Sequence, residues 1–375
     1  MTPVEFRRHL HRHPELSFQE EATAAFIEEQ LAEAGIAARR IDGTGVLARI
    51  EGRRKGAEPS KRAVVLRADI DALPVTEQTG LPYASEQAGV MHACGHDLHA
   101  AVLYGVLQRV AADPDFEGTL FGLFQPGEEL VPGGASLVLA EDPFAGYDVT
   151  AVVGEHVEPQ LEVGVLGFRA GQYMAANDEL RFRVRGVGGH GALRPQLKDP
   201  VAATAQLITR LLGLNDATTI LSVGKIDAPG ATNVIPDEVY LEGTLRTFDE
   251  ARRSDLRRRI EAIATAVDAA AGTQTAVEIG HGYPCVVNDA ALVDTAVALA
   301  RTDGLTVEPL ALRPTSEDFG FYCRRYPSLF YRLGVGTAAG RTHTAAFVPD
   351  ERAIGIGIGF MHRLAMRLLE KSETM

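Results

Sequence analysis

Three runs of the chain, RAVVLRADID (62–71), TLFGLFQP (119–126) and DVTAVVGEHV (148–157), are almost continuously apolar. Each predicts a strand buried on both faces, because a strand with one wet side would alternate. Such strands need helices above and below them. Helical periods are found in EFRRHLHRHPE (5–15), in QEEATAAFIEEQLAEAG (19–35), which Gly35 stops, and in DLHAAVLYGVLQRVAA (97–112). GVLARIEG (45–52) and VGVLGFRAG (163–171) supply further strands. The alternation predicts an α/β fold, a mixed sheet covered by helices on both faces.

Between 177 and 283 the pattern closes on itself. DELRFRVRGV, TTILSVGKI, EVYLEGTLRTF and TAVEIGH alternate as strands, with helices DPVAATAQLITRLLGL and EARRSDLRRRIEAIATAVDAAAG between them. The order βαββαβ is the ferredoxin-like split arrangement, so 177–283 reads as an inserted α+β domain. The α/β theme resumes with a helix at 289–302, VEPLALR, a helix from Glu317, SLFYRLGVG and a terminal segment. The first domain is therefore expected to be discontinuous, residues 1–176 and 284–375. AIGIGIGFMHRLAMRLLEK (353–371) is ambiguous, since IGIGIG alternates like a strand and the rest is helical.

At 375 residues the chain is long enough for two domains. A net charge of −13 with scattered basic residues lacks the stripe that nucleic acid or an acidic membrane would need. No apolar run approaches the ~20 residues of a membrane span, and MTPVEFRRHLHRHPE has no signal-peptide core, which places the chain in the cytoplasm. Cys94, Cys285 and Cys323 suggest no disulfide framework. Cys285 and Cys323 sit among apolar or aromatic neighbours and read as packed thiols. Cys94 differs.

It lies in VMHACGHDLHAAVLY (90–104), with His92, His96, Asp97 and His99. In an extended segment Cys94 and His96 project to one side, and Asp97 is placed to cap the following helix. A thiolate and an imidazole suit a borderline-soft ion such as zinc. Alone, C-x-H is a weak signal, and a capped loop explains it as well. FQPGEEL adds Glu128 and Glu129 after a strand, VVGEHVEP puts His156 at a strand end, and GRTHTAAFVP puts His343 just after another. Sites of open α/β sheets assemble at such ends.

Taken together, LHRHPELSFQE (10–20), LRADIDALPV (66–75), MHACGHDLHAA (91–101), FQPGEE (124–129), GEHVEP (154–159), GGHGA with DP (188–200), NVIPD (233–237) and TSEDFGFY (315–322) resemble the M20 metallopeptidase family. The amidohydrolase branch, with its aminoacylases, hippurate hydrolases and auxin-conjugate hydrolases, is the nearest. The resemblance implies a zinc-exopeptidase-like catalytic domain with a lid or dimerisation insert. It implies two divalent ions per subunit, zinc, manganese, cobalt or nickel, on Cys94, His96, Glu129, His156 and His343. Glu128 becomes general acid and base, and Asp71, together with Asp69, orients the ligands. Two such ions polarise a carbonyl and lower the pKa of bound water from 15.7 to ~7. His190 of the insert stabilises the tetrahedral intermediate, often across a homodimer, while Asn233 and Arg246 hold the polar end of the substrate. That substrate is an N-acyl amino acid, or in the alternative a short peptide cut by a dipeptidase or carboxypeptidase.

Two motifs depart from the family. Where HAxxPH is usual the chain reads HGALRPQLKDP, which brings in Arg194, and THTAAFVPD replaces LHSPxYDFN. Both leave the ligand set intact and bear on the substrate. His9, His11 and His13 read as surface or packing residues, His92 and His99 as residues behind the ligands or in the core, and His281 and His362 as structural. GVGGHG (186–191) matches the dinucleotide fingerprint, but Pro195 intervenes before the next helix, against a Rossmann turn. A non-catalytic dimeric scaffold is the other rival, and the presence of Glu128 with all five ligands argues against it.

Overall fold

The structure is a computed structural model that describes residues 1–54 and 60–370. They form two compact units: Met1–Gly171 with Val287–Ala311 and the chain from Asp318 onward, and Gln172–Val286 with Leu312–Glu317. The second unit thus begins a few residues before 177, and 312–317, expected within the first domain, group with it.

The first unit carries an eight-stranded sheet in the order Ala37–Ile41, Gly45–Glu51, Thr119–Gln125, Arg62–Asp69, Asp148–Glu158, Ser328–Gly334, Leu166–Phe168, Val307–Pro309. The four strands at its centre, 119–125, 62–69, 148–158 and 328–334, run parallel. Their carboxyl ends therefore share one edge. Antiparallel pairs flank them on both sides.

Both faces of these strands are covered. Val64, Leu66 and Ala68 join the large core with Leu103, Leu107, Ile354 and Met361 of helices His96–Ala112 and Arg352–Leu369. On the other face Ala63 and Val65 are equally inaccessible, Phe121 meets Phe144 at 5.2 Å, and Phe319 stacks on Phe330 at 4.8 Å. Full burial of Arg62–Asp69 beyond its first residue is what its unbroken apolar run anticipates.

The terminal segment resolves its ambiguity as a helix, Arg352–Leu369. Of its three glycines, one is tightly packed. A Cβ on Gly357 would lie 3.0 Å from Leu333 and Val102, whereas Gly355 and Gly359 have room. The expected helix from Glu317 is only Gly320–Cys323, and VEPLALR yields only the strand Val307–Pro309.

The second unit is a four-stranded antiparallel sheet, in the order Thr219–Asp227, Glu238–Thr247, Ala176–Arg185, Gln274–His281. Helices Pro200–Leu212 and Glu250–Ala271 pack on it around Leu180, Phe182, Leu207, Leu241, Leu256 and Ile260. Asp199 and Asp249 cap these helices, each accepting from amides of the first turn. Gly186–Gly191 forms the short strand Gly189–His190 and runs into a 3₁₀ turn containing Pro195, not a Rossmann turn. Among the described residues no helix is long and apolar enough to cross a membrane.

Candidate active site

The edge made by the parallel strands gathers the polar residues of the first unit. Asp69 ends the strand Arg62–Asp69 and Asp71 follows it, Glu128 and Glu129 follow Thr119–Gln125, and His156 lies near the end of Asp148–Glu158. His343 arrives nine residues after Ser328–Gly334, farther from its strand than the sequence suggested. It sits at φ +62°, its amide donating to the Ala93 carbonyl at 2.8 Å.

Cys94 and His96 reach the same place by another route than an extended segment. Gly95 between them adopts φ +93°, a conformation that favours glycine, and His96 opens the helix His96–Ala112. Asp97 does not cap that helix. Its carboxylate is buried and faces the first helix of the chain, accepting from Arg7 Nε at 2.9 Å and lying 2.9 Å from His11 Nδ1.

Donor atoms form two overlapping triads, Cys94, His96 and His156, and Cys94, Glu129 and His343, each within 4.8 Å of one another. Cys94 Sγ lies 3.4 Å from His156 Nε2 and 3.3 Å from His343 Nε2, which is 3.3 Å from Glu129 Oε1. A third group joins Glu128 to His96 and Glu129 within the same limit. The thiol is the member common to both triads.

Ring tautomers are set from behind. His96 Nδ1 faces two acceptors, the Asp71 carbonyl at 2.9 Å and Oδ1 at 3.1 Å, so it carries the proton. His156 Nδ1 likewise donates to the Val157 carbonyl at 2.7 Å. Their Nε2 atoms point into the cluster, where His96 Nε2 is buried without a hydrogen-bond partner and Glu129 Oε1 faces the His343 ring. An orphaned buried acceptor of this kind, with nitrogen, oxygen and sulfur donors converging, fits divalent cations. His99 is different. Its Nε2 accepts from the Val157 amide at 2.9 Å and its Nδ1 donates to Asp69 at 2.6 Å, so neither nitrogen is available to an ion.

Charge is managed by buried partners. Burial alone would raise Asp69, but His96, Arg67 and His99 hold it well below the usual carboxylate range. Asp71 is lowered, against burial, by His96, the Glu129 amide and Ser17. Burial pulls His96 down, yet Asp69, Cys94 and Asp71 outweigh it and raise its proton affinity, while burial drives His156 well down. Burial also pushes the Cys94 thiol up, a cost that a bound cation offsets by favouring thiolate.

The expected substrate residues lie in the second unit. His190 is exposed and pairs with Val234 in a two-stranded ribbon, while Asn233 accepts from the Gly191 amide at 2.9 Å. Arg246 is at the other end of the strand Glu238–Thr247, its Nη1 donating to the Pro314 carbonyl at 3.1 Å. Eight residues of extended chain separate Arg246 from Glu238, roughly 25 Å. The first two residues are brought together and the third is not.

His11, read as a surface or packing residue, is fully buried between Asp97 and Glu77. A helical wheel places His11 with Arg7 and Leu10, which could have flagged a polar residue on an apolar face. Arg67 was also unforeseen. It donates to Gln125 at 2.9 Å, Asp69 at 2.7 Å and Asp318 at 2.8 Å beneath the site.

A parallel-stranded sheet that delivers two donor triads and a neighbouring glutamate to one edge has the architecture of a metallohydrolase. The sequence profile of peptidase family M20/M25/M40 matches residues 65–367. An N-acetyl-L-cysteine deacetylase of Bacillus subtilis is 39% identical over 99% of this chain and 89% of its own length. An N-acyl-L-amino acid amidohydrolase of Geobacillus stearothermophilus is 41% identical over 76% of this chain and 77% of its own. A Bacillus subtilis protein described as a dinuclear metal-binding peptidase of the M20 family superposes with a TM-score of 0.88 at 34% identity, covering 99% of this chain and 98% of that one. The chain belongs to the M20/M25/M40 peptidase family.

Two outcomes follow from the geometry. Asp71→Ala removes the carboxylate that holds the Glu129 amide and one of the two acceptors of the His96 ring, and a chelator competition titration should show divalent-metal affinity reduced about 10- to 100-fold. His11 titrates in the opposite sense to an acid. Burial opposes its charge, but Asp97 and Glu77 lift its pKa from 6.5 to about 9. Its contribution to stability is complete below the unfolded value and is lost as pH rises through the folded one. The gap in Tm between wild type and His11→Asn should therefore narrow as pH is raised from about 6 to about 10.

Proposed function

We propose that the protein hydrolyses the amide bond of N-acyl amino acids, with two divalent cations held by Cys94, His96, Glu129, His156 and His343 and with Glu128 as general base and acid. The observation that carries this reading is the pair of triads sharing Cys94 beside Glu128. Zinc, manganese, cobalt or nickel suits the mixed donor set. The relatives' named activities on N-acetyl-L-cysteine and N-acyl-L-amino acids support the substrate class.

Bound cations would supply polarisation of the scissile carbonyl and acidification of the attacking water. Glu128, mostly buried at the edge of the cluster, takes the proton from that water and returns it to the leaving nitrogen. The carbon–nitrogen bond breaks, giving a carboxylate and an amine. Asp71 holds His96 in the tautomer that presents Nε2, and Asp69 does the same for His99, which braces the backbone next to His156.

His190 is the oxyanion donor. Its Nδ1 accepts from the Ala192 amide at 3.2 Å, so the neutral ring carries its proton on the exposed Nε2. Asn233 beside it and Arg246 bind the polar end of the substrate, the latter by a bidentate grip on a carboxylate. A separation of roughly 25 Å along one strand is too long for one small substrate to bridge. We therefore assign His190 and Asn233 to the active site of a second copy in a homodimer built through the insert.

Metal-loaded protein should turn over N-acetyl or N-benzoyl amino acids faster than dipeptides in a side-by-side panel. Glu128→Gln should lower kcat by about 10²- to 10⁴-fold with metal content unchanged. Retained activity in that variant refutes the mechanism. A mixing experiment tests the exchange of His190. Co-folding equal amounts of Glu128→Gln and His190→Ala chains should restore about a quarter of wild-type activity, because half the dimers are mixed and each has one complete site. No restoration would place His190 in its own site.

A further inference from the structure

The last four residues of LHRHPELSFQE (10–20), Ser17 to Glu20, hold neither a proposed ligand nor a proposed substrate contact. We infer that Ser17–Glu20 is a positioning element for the reaction, with Glu20 and Phe18 acting on Glu128 through Gly127. This rests on Glu128 being the general base.

Glu128 lies between two backbone amides, and each is held by a buried carboxylate. The Gly127 amide donates to Glu20 Oε1 at 2.8 Å, and the Glu129 amide to Asp71 Oδ2 at 2.9 Å. Ser17 Oγ donates to that same Asp71 oxygen at 2.7 Å. One four-residue segment thus reaches both sides of Glu128, across more than a hundred positions of sequence. Glu20 is wholly inaccessible, and its second oxygen accepts from Thr44 Oγ1 at 2.6 Å. Burying a carboxylate is costly. Here its two oxygens serve an amide and a hydroxyl, which fixes a loop rather than neutralising a cation.

Phe18 supplies the second restraint. It adopts φ +63°, a strained conformation for a residue with a side chain, and its ring lies over Gly127. A Cβ on Gly127 would come within 2.3 Å of that ring, and Gly127 itself stands at φ +60°. The loop is held by a hydrogen bond on one side and an aromatic wall on the other. General-base transfer needs the carboxylate within hydrogen-bond reach of the water, and a displacement of about 1 Å can cost 10²-fold in rate. Loosening either restraint therefore acts on turnover while substrate contacts remain.

The test compares metal-loaded Glu20→Leu, Glu20→Gln and Phe18→Ala with wild type and with Glu128→Gln. Glu20→Leu removes the acceptor, and kcat should fall about 10- to 100-fold, with KM within about twofold and metal content unchanged. Glu20→Gln keeps an oxygen for the Gly127 amide and should recover kcat to within about threefold. Phe18→Ala changes a partly exposed side chain, so it folds even if Glu20→Leu does not, and should lower kcat about tenfold with KM unchanged. Wild-type kcat in folded Phe18→Ala and Glu20→Leu overturns the inference, as does a loss confined to KM or to Tm. Equal loss in Glu20→Gln and Glu20→Leu also overturns it, since acceptor geometry would then not matter. If Glu128→Gln stays active, the general-base reading itself has failed and the inference falls with it. That result differs from an inactive Glu128→Gln beside a fully active Phe18→Ala, which sinks the inference alone.

Discussion

One carboxylate ties the metal edge together. Asp71 accepts from the His96 ring, the Glu129 amide and the Ser17 hydroxyl, and so links a helix start, a strand-end loop and the N-terminal segment. A buried, ionised carboxylate is tolerated only when hydrogen bonds replace the water it has lost. Asp71 meets that condition with groups that must be immobile for the donor atoms to converge. Two of the proposed ligands thereby inherit their orientation from a residue that is not itself a ligand.

Behind this first set lies a second layer of buried charge. Arg67 joins Asp69 to Asp318, and Asp69 fixes His99 against the amide next to His156. Arg7 and His11 converge on Asp97, one residue beyond His96. Buried pairs of this kind gain little net stability, because desolvation nearly cancels their attraction. They do select one arrangement of the loops over others, since any slip leaves a charge unpaired in the interior. In a site assembled from strand ends and turns, that selection substitutes for the rigidity a helix would give.

The large features were legible because they follow from burial on a regular period. Strands 62–69, 119–125 and 148–158 are largely buried on both sides, so an unbroken apolar run found them, and the insert showed itself by strict alternation. Short elements escaped. Three residues at 307–309 and four at 320–323 carry no period at all. The polar residues of the edge were found through their motifs, and the structure gathers Cys94, His96, Glu128, Glu129, His156 and His343 there. How they meet was not readable. The inward Asp97 and the burial of His11 and Glu20 involve partners between 66 and 107 positions away, and local pattern holds no record of them.

The discontinuity of the first unit has a consequence for biosynthesis. A ribosome releases Cys94, His96, Glu129 and His156 well before His343, and the whole of Gln172–Val286 emerges in the interval. The strand Ser328–Gly334, which completes the parallel centre of the sheet, and the helix Arg352–Leu369, which closes its core, come after the insert. The insert can therefore fold while the sheet of the first unit is still missing a strand, and the proposed donor set is complete only once His343 has followed the insert. Capture of cations by the full proposed set therefore waits until the insert has been made.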